Sequence, residues 1–260
     1  MDKEIYKKII EKKEFSQLPK KDIEKVFLRF EKREVSEEEK IRLARDLLRK
    51  IYFAFGSRKL LNKKIVDKKT PEEILQKHIS TRERFKFYDE VYGKLFQNLK
   101  EEKVCVIDLG AGINGFSFNF LKKYLDNFYY FGVEAVGQLV DLMNYYFKNR
   151  GIENAGAISE SLFNLEKIKK LILQVKEKKV VFLFKTLDSL EMLERDYSKK
   201  LLEEIFPLVD FIVVSFATKS LISKKAFKVK RYWFENFVKT KNWNVSSFET
   251  EFEKYFILSR

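Results

Sequence analysis

The sequence predicts an α/β protein, in which an all-helical N-terminal region precedes a mostly parallel seven-stranded sheet. From residue 104 onward, short apolar runs alternate with helical patterns, and such alternation is typical of parallel strands joined by crossover helices. Before residue 100, apolar residues recur at helical spacing. Two runs of alternating polarity close the chain, which favours an antiparallel hairpin at the edge of the sheet.

The N-terminal region, residues 1–100, is predicted to form a basic RNA-binding domain of three to six helices. Helical spacing is clear in residues 1–13 and 21–32, and Ser36 and Thr70 are helix-start signals. The region carries 28 Lys and Arg against 18 Asp and Glu, and so holds most of the net charge of +14. This surplus suits a polyanion such as RNA, although a solvated helical surface explains it equally well.

The C-terminal region, residues 101–260, is predicted to form the sheet domain. Five unbroken apolar runs indicate strands that are buried on both faces, and a basic segment precedes the final hairpin. The predicted strands are 104–109, 128–133, 155–158, 180–184, 211–216, 243–248 and 255–258, and the predicted crossover helices are 115–125, 137–150, 164–177 and 188–205.

Composition excludes several classes of protein. No apolar run approaches the roughly 18 residues that a membrane span requires, and the charged start lacks the apolar core of a signal peptide. The single cysteine, Cys105, cannot form an intrachain disulfide, and no zinc-ligand pattern is present. We therefore expect a cytoplasmic protein that has no metal and no membrane partner and that is a monomer by default.

A nucleotide-type cofactor site is predicted where the first apolar strand ends. Asp108 is followed by Gly110 and Gly112, and glycines let the backbone turn sharply and approach a ligand closely. Glu134 ends the second strand, where an acid can accept hydrogen bonds from both ribose hydroxyls. A surface carboxylate is the alternative for Glu134, while Asp108 could orient the loop or reach an amino group of the cofactor.

Polar residues after the third and fourth strands complete the predicted site. Glu160 or Ser161 follows the third strand and could contact an adenine amine. Lys185 lies at the carboxyl end of the fourth strand, where a substrate would meet the cofactor. Glu191, six residues later, could pair with Lys185 or interact with the substrate base, unless it only complements the helix dipole.

Two further basic segments are candidates for anion binding. Arg82 and Arg84 lie in the segment that contains the only histidine, His78. One arginine could bind a carboxylate bidentately and the other an RNA phosphate, although pairing with a glutamate is the alternative. The loop after the fifth strand suits phosphate contacts, unless it is simply a charged surface loop. Its predicted RNA-binding residues are Lys219, Ser220, Lys224, Lys225, Lys228, Lys230 and Arg231.

Taken together, these segments resemble the Arm/Rmt/FmrO-type 16S rRNA (guanine-N7) methyltransferases, which are aminoglycoside-resistance methyltransferases. The matching segments are His78–Arg84, Asp108–Asn114, Glu134, Leu183–Glu191 and Val214–Leu221. The resemblance implies the class I S-adenosylmethionine-dependent methyltransferase fold, which is Rossmann-like. It also implies methylation of N7 of a guanine in the decoding-site helix of 16S rRNA, within the assembled 30S subunit.

The resemblance further implies a role for individual residues. Arg82 or Arg84 would hold the methionine carboxylate, and Glu134 the ribose. Lys185 and Glu191 would be the catalytic residues at the target guanine. The implied cofactor-binding residues are Arg82, Arg84, Asp108, Gly110, Ala111, Gly112, Glu134, Ala135, Glu160, Ser161 and Leu162.

The chain also departs from the family pattern at several positions. Ala111 stands where the family has Cys, Gly115 and Ala217 where it has Pro, and Ser223 where it has a Gly-rich turn. Ser161, beside Glu160, stands where the family has an adenine-contacting Asp. Cofactor binding tolerates these changes, whereas the target base is less firmly implied.

Two other classes of function stay open at this stage. The protein could be a methyltransferase for another rRNA or tRNA position or for a small molecule, or a non-catalytic RNA-binding or ribosome-assembly protein with the same fold. Asp108, Gly110, Gly112, Glu134 and Lys185 are all present, which favours an enzyme, because a non-catalytic protein would not need a cofactor loop and a lysine at the substrate position.

Overall fold

Seven strands form one sheet in the computed structural model, which describes residues 1–53, 60, 62–219 and 231–260. The strands are β1 (Lys103–Leu109), β2 (Asn127–Glu134), β3 (Ala155–Ser159), β4 (Lys178–Phe184), β5 (Phe211–Ala217), β6 (Asn244–Glu249) and β7 (Glu253–Ser259). Their order is β3-β2-β1-β4-β5-β7-β6. Strands β1 to β5 pair in parallel, and β7 runs antiparallel to both β5 and β6. The predicted fold class and terminal hairpin are therefore confirmed.

The apolar runs of the sequence predict the strands because the burial of each strand follows its apolar residues. In β1, every residue after Lys103 is buried, as expected of a central strand covered on both faces. The edge strand β6 is almost wholly exposed. Because the first five strands are parallel, their carboxyl ends meet at one edge, where Asp108, Glu134 and Lys185 were predicted to lie.

The crossover helices differ from the prediction in two places. They are α7 (Phe118–Leu121), α8 (Gly137–Asn149), α9 (Leu165–Gln174), α10 (Leu187–Leu193) and α11 (Tyr197–Ile205), and α12 (Tyr232–Lys239) precedes the hairpin. The single helix predicted over 188–205 is wrong. The helix is interrupted between Leu193 and Tyr197, where Asp196 has a φ of +63°. The helix predicted over 115–125 is also shorter than expected, because a 3₁₀ turn occupies Asn114–Ser117.

The N-terminal region is helical, as predicted, and its start signals form the expected caps. The helices are α1 (Lys3–Ile10), α2 (Lys20–Glu31), α3 (Glu37–Leu48), α4 (Pro71–Leu75), α5 (Ile79–Arg84) and α6 (Tyr88–Phe96). Ser36 Oγ accepts a hydrogen bond from the Glu39 amide, and Thr70 and Glu73 form a reciprocal capping box. A π-helical turn, Arg49–Phe53, extends α3.

Helix α6 packs directly on the sheet. Tyr92 and Phe96 both contact Phe182 of β4, at 6.1 Å between ring centroids in each case. One hydrophobic core contains buried residues from both sides of residue 100, so the boundary predicted there stays a prediction. Within the described ranges, no helix is both long and apolar enough to cross a membrane.

Candidate active site

The loop after β1 bends sharply over the carboxyl end of β2. Gly110 has a φ of +78°, and the amides of Gly110 and Ala111 both donate to the Val133 carbonyl, at 2.8 and 3.1 Å. A Cβ on Gly110 would lie 2.7 Å from Thr186 Oγ1. Glycine is therefore required here for its backbone conformation and also for the space it leaves.

Glu134 closes on the same loop from the end of β2. One carboxylate oxygen accepts the Gly112 amide at 2.8 Å, and the other accepts the Val136 amide at 2.9 Å. Burial raises the pKa of Glu134, although these backbone hydrogen bonds oppose the shift. The glycine bend and the acid thus meet over one crevice, as the sequence predicted.

A pocket opens beside this contact. Much of the predicted site lines it, and so do several residues that were not predicted. The predicted residues among the lining are Arg84, Gly110, Ala111, Gly112, Glu134, Ala135, Leu162 and Lys185. Leu139 and Phe163 add apolar surface next to Ala135 and Leu162. The lining therefore combines the exposed backbone of the Gly110–Gly112 loop, the Glu134 carboxylate and apolar side chains.

Other predicted cofactor residues take different positions. Asp108 is 1% exposed and accepts hydrogen bonds from Asn114 Nδ2 and the Tyr130 hydroxyl, both at 2.8 Å. The structure thus places Asp108 beneath the loop, which it orients. Arg82 is exposed on the outside of α5, whereas Arg84 is 2% exposed and lines the pocket.

Glu160 and Ser161 do not line the pocket in the part of the chain that the structure describes. The Glu160 carboxylate contacts Lys167 Nζ at 2.5 Å and Asn164 Nδ2 at 3.2 Å. The Ser161 hydroxyl donates to the Asp22 carboxylate. This arrangement therefore does not favour direct contact between adenine and Glu160 or Ser161.

Lys185 belongs to a buried cluster of two acids and two bases. Its Nζ lies 2.5 Å from Glu83 and 3.4 Å from Glu253, and Arg84 forms a 2.6 Å salt bridge with the same Glu253. All four side chains are at most 5% exposed. The charges of these four groups balance, which offsets part of the cost of burying each one.

Two local features hold this cluster in place. Lys185 has a φ of +57°, a conformation that costs a non-glycine residue of order 1–3 kcal/mol and that clusters at functional sites. Its amide donates to Ser215 Oγ at 3.1 Å, and the Ser215 hydroxyl in turn donates to Glu253. Burial alone would raise the pKa of Glu253, but Arg84 and Lys185 hold that pKa below its usual value.

Of the alternatives that the sequence left open for Glu191, pairing with Lys185 does not occur. The Glu191 carboxylate instead accepts the backbone amides of Asp196 and Ser198, at 2.7 and 2.8 Å. It therefore caps the start of α11, where a carboxylate satisfies amides that have no partner within the helix. Within the described residues Glu191 does not line the pocket, so the structure gives no support to a catalytic role for it.

His78 is part of the pocket wall and lies against Gly112, where its ring would be 3.4 Å from an added Cβ. Burial, together with the positive charges of Arg84 and Lys185, lowers the pKa of His78 from 6.5 to about 3. The imidazole is therefore neutral throughout the physiological range.

Sequence reasoning missed the most distant contributors. Asp22 and Tyr52 reach the pocket from the N-terminal region, and Glu253 reaches the cluster from β7. One signal could have indicated Glu253, since it shares a strand face with the buried Tyr255. Asp22 precedes the buried Ile23 on α2, but nothing in the local sequence distinguishes it from other helix-start acids.

The predicted RNA-binding loop is described only at its two ends. Lys219 contacts Glu251 at 2.6 Å, and Arg231 contacts Asp188 of α10 at 2.6 Å. RNA binding by these two residues stays a prediction. The remaining predicted residues lie outside the described residues: Ser220, Lys224, Lys225, Lys228 and Lys230.

The fold is shared with solved rRNA methyltransferases. The 16S rRNA methyltransferase RmtF, in complex with S-adenosyl-L-homocysteine, has a TM-score of 0.80 at 20% identity, over 100% of this chain and 99% of that chain. An rRNA methylase from Escherichia coli has a TM-score of 0.77 at 16% identity, over 99% and 98%. The 16S rRNA methylase ArmA has a TM-score of 0.55 at 23% identity, over 77% and 96%.

Sequence comparison identifies the family independently of the fold. Among curated proteins, none matches the chain. The profile of one protein family does match, and it covers residues 66–257, which include the whole sheet except its last residues and most of the pocket. The chain therefore belongs to the family of ribosomal RNA methyltransferases described as FmrO.

Proposed function

We propose that the protein uses S-adenosyl-L-methionine to methylate N7 of a guanine in the decoding-site helix of 16S rRNA, within the assembled 30S subunit. The observation that carries this proposal is the pocket in which the Gly112 amide meets the Glu134 carboxylate. Family membership makes the substrate ribosomal RNA. RmtF, which shares the fold, was solved with S-adenosyl-L-homocysteine, the molecule that S-adenosyl-L-methionine becomes on losing its methyl group.

The pocket residues fit this cofactor. A carboxylate offers about four acceptor positions. Glu134 accepts the amides of Gly112 and Val136, and Ala135 is a third backbone donor, so one position remains for a ribose hydroxyl. Arg84 has five N–H donors. Three bond to Tyr255, Asn114 and Glu253, and Tyr88 is a further partner. The remaining donor suits the methionine carboxylate. Apolar faces for a purine are provided by Ala135, Leu139, Leu162 and Phe163.

The bound cofactor would supply an activated methyl group on a positively charged sulfur. Guanine N7 is an exposed major-groove acceptor that carries no proton, so the site must position the base rather than deprotonate it. We assign Lys185 to this positioning, because Glu83 and Glu253 fix its ammonium at the pocket wall. A paired guanine would have to be flipped out of its helix, at a cost of a few kcal/mol.

Binding to the subunit would depend on charge outside the pocket. The basic N-terminal region, the exposed Arg82 and the basic segment 219–231 would contact RNA phosphates. Such a substrate also implies a cytoplasmic enzyme, which we expect to act as a monomer.

The test is to incubate the purified protein with 30S subunits and labelled S-adenosyl-L-methionine, and to map the label by mass spectrometry. We expect 7-methylguanosine at one decoding-site position. The variant Glu134→Ala should incorporate no label, while the exposed Glu153→Gln serves as a matched control with full activity. Label at another rRNA position or on tRNA would refute the proposed target, and the absence of cofactor binding would refute the proposed cofactor.

A further inference from the structure

The N-terminal region forms part of the pocket wall. Asp22 of α2 and Ile51 and Tyr52 of the turn after α3 all line it. Asp22 is 1% exposed. Its carboxylate contacts Ser161, which lies 139 positions later in the sequence. A carboxylate that is removed from water so completely needs hydrogen-bond donors around it.

Two hydroxyl groups use the Asp22 carboxylate as a hydrogen-bond acceptor. Ser161 Oγ accepts the Phe163 amide at 3.1 Å and directs its own proton to Asp22. The Tyr52 hydroxyl also hydrogen-bonds to the Asp22 carboxylate. Because a carboxylate can accept about four hydrogen bonds, these two leave Asp22 with capacity for a donor in the pocket.

The other acidic side chains near this part of the pocket, Glu134 and Glu160, have partners or roles of their own. In the described part of the chain, Asp22 and Glu134 are the acidic residues that line the pocket, and Glu134 lies at the predicted ribose position. Glu160 is engaged by Lys167 and Asn164 outside the pocket lining. Among the acidic side chains of the described lining, Asp22 is therefore the one that remains for a ligand donor beyond the ribose, and it lies in the same lining as the apolar Leu162 and Phe163.

We propose that Asp22 accepts a hydrogen bond from the 6-amino group of the cofactor's adenine, and so makes the N-terminal region part of the cofactor site. The inference rests on the proposed use of S-adenosyl-L-methionine. Ser161, which precedes the two apolar residues, orients the carboxylate rather than contacting the base. A base with a carbonyl in place of the amine would be disfavoured, since two acceptors would then face each other.

The experiment compares two ligands by isothermal titration. One is S-adenosyl-L-homocysteine, and the other is its analogue with hydrogen in place of the 6-amino group. The wild-type protein should bind the first more tightly by a factor on the order of 10 to 100, as expected for a hydrogen bond to a charged group. In Asp22→Ala this preference should disappear, and in the near-isosteric Asp22→Asn it should shrink to a few-fold.

The control is Glu24→Gln, a partly exposed carboxylate two residues away on the same helix, which should keep the wild-type preference. A wild-type protein that binds both ligands equally, or an Asp22→Asn variant that keeps the full preference, would overturn the inference while leaving the proposed function intact. So would a folded Asp22→Asn variant that loses both ligands equally, because Asp22 would then shape the pocket without contacting the amine. Failure of the wild-type protein to bind S-adenosyl-L-homocysteine would instead remove the proposed cofactor itself.

Discussion

Arg84 and Glu253 form a 2.6 Å salt bridge in which each side chain is 1% exposed. The two residues are 169 positions apart and connect α5 to the last strand of the sheet. The second oxygen of the same carboxylate lies 3.4 Å from Lys185. One acid from β7 therefore holds two cations of the pocket, so the terminal hairpin contributes to the site as well as to the sheet edge.

We expect Glu253→Ala to destabilise the protein by about 3–5 kcal/mol, because it leaves two buried cations without their shared partner. The matched control is Glu251→Ala, which removes an exposed pair with Lys219 and should cost at most about 1 kcal/mol. Urea unfolding of the two variants measures the difference. Equal losses would show that burial of the Arg84–Glu253 pair has little energetic consequence.

Lys185→Ala should reduce turnover on 30S subunits by a factor on the order of 100 or more, since productive positioning is worth at least this much. Its affinity for S-adenosyl-L-homocysteine should stay within about three-fold of wild type. Calorimetry and single-turnover labelling separate these two quantities, and exposed Lys176→Ala is the control. Loss of cofactor affinity in Lys185→Ala would assign the residue to cofactor binding instead.

Glu191→Gln distinguishes a helix cap from a catalytic acid. Since the carboxylate accepts two amides at the start of α11, we expect a loss of about 0.5–2 kcal/mol in stability. Turnover should be unchanged at a temperature where the variant is folded. A large fall in turnover with unchanged thermal stability would restore the catalytic role that the sequence predicted.

Gly110→Ala should impair cofactor binding by at least ten-fold and lower stability by about 1–3 kcal/mol. The added Cβ would have an unfavourable positive φ and would collide with Thr186. Gly156→Ala is the control, because nothing lies within 4 Å of a Cβ there and its φ is not in the left-handed region. Calorimetry and thermal unfolding of both variants test the prediction, which fails if they behave alike.

His78 should make stability depend on pH in the mildly acidic range. Its folded pKa is lowered to about 3, so the contribution is fully present above pH 6.5 and is lost as the pH falls towards 3. Below pH 6.5 the unfolded chain binds a proton that the folded protein excludes, which costs about 1.4 kcal/mol per pH unit. Unfolding at pH 7 to 5 should therefore show a shallower pH dependence for His78→Gln, and identical slopes would contradict the assignment.

The sequence by itself determined the layout of the sheet and part of the pocket lining. Apolar runs and helical patterns alternate strictly, and parallel strands bring their carboxyl ends to one edge. For that reason the sequence predicts that Gly110, Glu134 and Lys185 lie at the same edge of the sheet. The local patterns also gave the Thr70 cap and the closing hairpin, because caps and strand periodicity depend on neighbours a few residues away.

Tertiary structure alone decided the partners of these residues. Lys185 pairs with Glu83 and Glu253 rather than with Glu191, which is close in sequence. Asp22 lines the pocket from α2, although it is 139 positions away in sequence from its partner Ser161. Such contacts depend on how packed elements are oriented, whereas hydrophobic periodicity reports only which face of an element is buried. The physical reason is that burial removes water as a partner for every charged group, and the folded chain must then supply the partner from wherever it passes.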